Sequence, residues 1–123
     1  MAQYGETEYY LKRIGALILA LSASLDEVKA LTQRPMPFDQ GWRDKLAEHA
    51  QDIHAAHKQL QHMGVPIEAR SMHKELLMGS GMFAEAMTLL WRGIVSSDFT
   101  ALDRAEELIL AGHDQIDKAV RGG

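Results

Sequence analysis

Cysteine is absent from the chain, which removes disulfides, thiolate metal sites and thiol nucleophiles together and fits a reducing, cytoplasmic compartment. Proline is sparse: 3 residues in 123, at positions 35, 37 and 66. No stretch alternates apolar and polar residues long enough to argue for a strand. Basic charge is also scarce, with 13 Lys and Arg against 17 Asp and Glu, a net charge of -4 and a pI near 5.8. Binding to nucleic acid or to anionic lipid needs clustered Lys and Arg, so neither is expected as a partner.

Long hydrophobic runs are missing as well. The most apolar segment, IGALILALSASL at residues 14–25, is too short to span a bilayer. It follows Lys12 and Arg13, as the apolar core of a leader would. However, Glu6 and Glu8 stand where a leader is basic, and the helical pattern continues to Leu31. A strongly buried first helix, with no membrane span and no cleaved leader, is the expectation.

What remains is ordinary globular material, 46% hydrophobic and 24% charged, in a length that suits one domain over residues 1–123. Three junctions punctuate it: RPMPF at 34–38, MGVP at 63–66 and VSSDFT at 95–100. Four helices follow, at about 6–32, 39–63, 66–95 and 98–120. Gly64 suits a C-terminal cap and Pro66 the first turn of the next helix. Asp39 and Asp98 are placed to accept the free backbone donors at helix starts.

Apolar residues recur in steps of three and four. The stripes are Tyr10, Ile14, Leu17, Leu21, Leu25 and Val28; Trp42, Leu46, His49, Ile53, Ala56, Leu60 and Met63; Leu76, Phe83, Met87, Leu90 and Ile94; and Leu102, Ile109 and Ile116. With short connections, this predicts an all-α, single-domain, antiparallel (up-down-up-down) four-helix bundle.

HAQDIHAAHKQLQH at 49–62 holds four histidines, yet about 100° of rotation per residue spreads them over more than half the helix circumference. They cannot converge on one ion. His54 and His62 are expected in solvent and His57 beside the seam, whereas His49 occupies a seam position. Antiparallel folding brings His49 and His113 within about one turn in height and leaves His73 about two turns away. Between them lies MGSGM at 78–82, where Gly79 and Gly81 weaken a helix by about 1 kcal/mol each relative to alanine. A small polar pocket of His49, Ser80 and His113 is therefore a candidate ligand site, with a close helix contact as the plainer reading of the glycines. A neutral buried His49 would make stability fall as pH drops below about 6.5.

No Glu-x-x-His pair occurs, which argues against a carboxylate-bridged metal centre, and no third ligand is aimed at the two histidines. No acid stands ready to orient a histidine beside Ser80, so no catalytic residues, enzyme activity, metal or cofactor are expected. Two apolar faces point away from the core stripes: Ala16, Leu19, Ala20 and Ala23 on the first helix, and Met78, Met82 and Leu89 on the third. They suggest a non-enzymatic protein acting through contacts with other proteins, as a homo-oligomer or an accessory subunit. The alternative is a small-ligand or metal-binding bundle using the histidine pocket.

From Pro66 onward, the segment IEARSMH and the later AEAMTLLWRGIVSSDFTALDRAEELILAG resemble the second half of small uncharacterised bacterial helical-bundle domains. The resemblance covers about half the chain. It rests on a proline, His73 about two turns later, and Asp98, Leu102, Ala105 and Gly112 on a closing helix. It implies the bundle fold and a bacterial origin, and it carries no active site.

Overall fold

A computed structural model describes the backbone of residues 2–122 and the side-chain surroundings of residues 5–122. The elements are α1 (Ala2–Gln33), α2 (Gln40–His62), a 3-10 turn (Ile67–Ala69), α3 (Arg70–Ser96) and α4 (Phe99–Val120). No strand occurs among the described residues. All three prolines fall between helices, where a missing backbone donor and a fixed φ do no harm.

The caps follow from local chemistry. Asp39 accepts a hydrogen bond from the Trp42 backbone N–H at 3.3 Å, and Asp98 accepts one from Ala101 at 3.2 Å. Gly64 does not serve as a left-handed cap, because α2 already ends at Met63 in extended backbone, with φ -82 and ψ 151. The left-handed cap belongs instead to Ser97, at φ 53, which closes α3.

Contacts between consecutive helices accord with an up-down-up-down arrangement. Trp42, starting α2, donates its indole N–H to the carbonyl of Leu31, ending α1, at 3.0 Å. His73, starting α3, reaches Leu60, ending α2. Along α3 and α4, Gly79 lies against Gly112 and Ile116 while Gly93 lies against Leu102, so the two helices run in opposite directions.

Two apolar clusters form the core. The larger gathers Leu21, Leu25, Leu46, Ile53, Phe83, Met87 and Leu108. The smaller, at the end that holds the α2–α3 connection, gathers Tyr10, Ile14, Leu60, Leu76 and Ala119. The seams of α1, α2 and α3 are buried as their periodicity requires, apart from half-buried Leu17, His49, Met63 and Ile94. In α4 the buried line is Ala101, Ala105, Leu108, Gly112 and Ala119, while Leu102, Ile109 and Ile116 are only half-buried. Small residues occupy the contact with α3, letting the backbones approach, and the larger side chains wedge in from the flanks.

Candidate functional site

The expected pocket of His49, Ser80 and His113 does not assemble. Ser80 is fully buried, but its hydroxyl pairs with Nδ1 of His57 at 2.6 Å and lies 3.3 Å from the Leu77 carbonyl. His113 is exposed and sets its ring edge-on against Phe83, with centroids 5.1 Å apart. His49 is half-buried. A seam position in α2 is thus no guarantee of depth, and His57, about two turns further along α2, takes the serine. His54 and His62 are exposed, as their helical angles require.

The glycines of MGSGM have separate reasons. A Cβ on Gly79 would come within 2.8 Å of Ile116 and 3.1 Å of the Gly112 carbonyl, so Gly79 serves the α3–α4 contact. A Cβ on Gly81 would meet Cε1 of His57 at 3.3 Å, so Gly81 leaves room for the imidazole. Burial, and secondarily the nearby His54, lowers the His57 pKa from its ordinary value. Ser80 donates its one hydroxyl proton to the Leu77 carbonyl, which leaves its oxygen to accept from an Nδ1–H of His57. Ser80 has no solvent access, and its contact with His57 ties α3 to α2.

A buried histidine, His73, was legible only as the polar match in the resemblance. Its Nε2 lies 2.8 Å from the Leu60 carbonyl and its Nδ1 lies 2.8 Å from the Tyr10 hydroxyl. A carbonyl only accepts, so Nε2 carries the proton, and in the neutral ring Nδ1 accepts from Tyr10. The pair joins α1, α2 and α3 at one level. Burial of Tyr10 pushes its pKa up to about 12, which keeps it a donor. Among the described residues, no buried side-chain nitrogen or oxygen is left without a partner. None of the described His, Asp and Glu side chains gather in threes to hold a metal ion.

Two open clefts flank the bundle. One, of about 390 Å³, lies between α1 and the α2–α3 connection and is lined by Glu6, Tyr9, Tyr10, Arg13 and residues 63–66. The other, of about 260 Å³, lies between α2 and α3 beside Ala47, His54, Met87 and Trp91. Neither is lined by His49, Ser80 or His113.

The surfaces separate the two apolar faces expected from sequence. On α3, Met82 and Leu89 are half-buried and pack against the larger core cluster, so they do not form an outward face; Met78, at 46% exposure, lies beside Gln115. The reason is the close α3–α4 pairing, which turns this side of α3 inward. On α1, Ala16, Leu19, Ala20 and Ala23 are all exposed, Leu19 to 73%. Gly15 beside them has nothing within 4 Å of the place a Cβ would occupy. Among the described residues, no helix is long and apolar enough to cross a membrane. Comparison of the chain with protein-family models, with curated proteins and with solved structures finds no match.

Proposed function

We propose that this protein is a non-enzymatic helical bundle that acts through protein–protein contacts, as a homo-oligomer or an accessory subunit, with the outer face of α1 as its contact surface. The observation that carries the reading is Leu19, 73% exposed at the centre of a twelve-residue segment, 14–25, that contains no charge. A helix that packs in a lone bundle presents polar side chains to water opposite its core stripe. Here the opposite side is apolar for about three turns, which suits a surface covered by another protein.

Sedimentation of the wild type and of Leu19→Glu, from micromolar to near-millimolar protein, tests the reading. A mass that rises with concentration in the wild type and stays monomeric in Leu19→Glu is expected. A constant monomer mass, identical in both, would contradict it.

A further inference from the structure

The outer face of α1 carries a charge pattern that matches its own reverse. Lys12, Leu19 and Asp26 are spaced seven residues apart, so they fall along one line of the helix, and all three are exposed. Leu19 stands midway between the basic and the acidic residue. Around it, Gly15 and Ala23 lie four residues to either side, and Ala16 and Ser22 three residues to either side, all of them exposed. Further out the signs reverse again, with Glu8 before Lys12 and Lys29 after Asp26.

Gly15 supplies a second, independent sign. Gly79, Gly93 and Gly112 each sit where a Cβ would collide with a neighbouring helix. Gly15, like Gly5 near the start of α1, is also inside a helix, yet no other part of the described chain lies within 4 Å of the place its Cβ would take. A glycine in mid-helix weakens α1 with no return inside the bundle. Close approach of a helix from outside would give it the same reason the other three have.

Resting on the contact reading above, we infer that the partner of this face is a second copy of the chain, with the two α1 helices packed antiparallel about a two-fold axis at Leu19. In that arrangement Leu19 meets Leu19, Gly15 faces Ala23, and Lys12 of each copy lies beside Asp26 of the other. A parallel pairing would instead set Lys12 against Lys12 and Asp26 against Asp26, which is destabilising. The same patch on both copies, related by a two-fold axis, is the commonest form of soluble assembly. The two charge pairs are about 21 Å apart along the helix. So narrow a contact belongs at the small end of stable interfaces, and association that varies with concentration follows.

Charge exchange tests the arrangement. Lys12→Glu and Asp26→Lys each turn two attractions into repulsions and should weaken dimerisation about tenfold, measured by equilibrium sedimentation at low salt. The double variant Lys12→Glu/Asp26→Lys restores the pairing with reversed signs and should return the affinity to near the wild-type value. Both positions are exposed, and circular dichroism of each variant verifies the fold. A double variant no tighter than either single one, in a protein whose association Leu19→Glu still abolishes, would overturn the antiparallel arrangement while leaving the contact reading intact. A wild type monomeric at every concentration would overturn both.

Discussion

At the scale of single residues, the buried polar groups carry the clearest consequences. Tyr10→Phe removes the donor to Nδ1 of His73 and leaves a buried acceptor unmet, which should cost about 1–3 kcal/mol in urea unfolding. Tyr10 also gives the alkaline limb its sign. Its folded pKa of about 12 lies above the ordinary value of 10.0, so its contribution is fully present below pH 10.0 and is lost as pH rises towards 12. His57 works in the acid direction. Its pKa is lowered in the folded state, so the unfolded chain binds the proton more readily and stability should fall as pH drops below 6.5, until the lowered folded value is passed. His57→Gln should reduce that slope in melting temperature against pH, and an unchanged slope would assign it elsewhere. Sequence periodicity pointed to His49 for this role. What it could not resolve is which of two histidines near the seam meets Ser80, because that depends on how far α2 is shifted along α3, and Gly81, which makes the room, looks in sequence like its neighbour Gly79.

At the scale of helices, the close pairing of α3 and α4 rests on absent side chains. A Cβ on Gly112 would lie 2.6 Å from the Phe83 ring and 3.0 Å from the Gly79 carbonyl, and the backbone cannot yield as a flexible side chain can. Gly112→Ala should therefore destabilise the fold by about 1–3 kcal/mol in spite of alanine's better helix propensity. Gly15→Ala, with open space around it, should stabilise dilute monomer by up to about 1 kcal/mol. Ser97 holds a left-handed backbone that glycine adopts freely, and Ser97→Gly should gain about 0.5–1 kcal/mol in thermal unfolding. Caps at Asp39 and Asp98 and three of the four seams were legible because short-range patterns determine them. The buried line of α4 was not. Ala101, Ala105 and Gly112 carry little hydrophobic signal, and only the glycines facing them on α3 make the small residues the contact surface. The same pairing explains why Met82 and Leu89 turn inward.

At the scale of the whole molecule, the bundle has an uneven surface. α2, α3 and α4 show charged or polar residues opposite their buried lines, whereas the middle of α1 carries no charge on any side. The sequence showed both faces of α1, and the structure separates it from α3 as the exposed one. A cysteine-free chain makes the contact directly testable, since a single introduced thiol is the only one present. Disulfides require Cα atoms within about 4.4–6.8 Å, so only a residue that meets its own copy crosslinks readily. Leu19→Cys, mildly oxidised at concentrations where the wild type associates, is expected to become a covalent dimer quickly. Leu110→Cys, on α4 at 63% exposure, is expected to remain monomeric on the same timescale. Equally slow crosslinking of the two variants would contradict the assignment of α1's outer face as the contact surface.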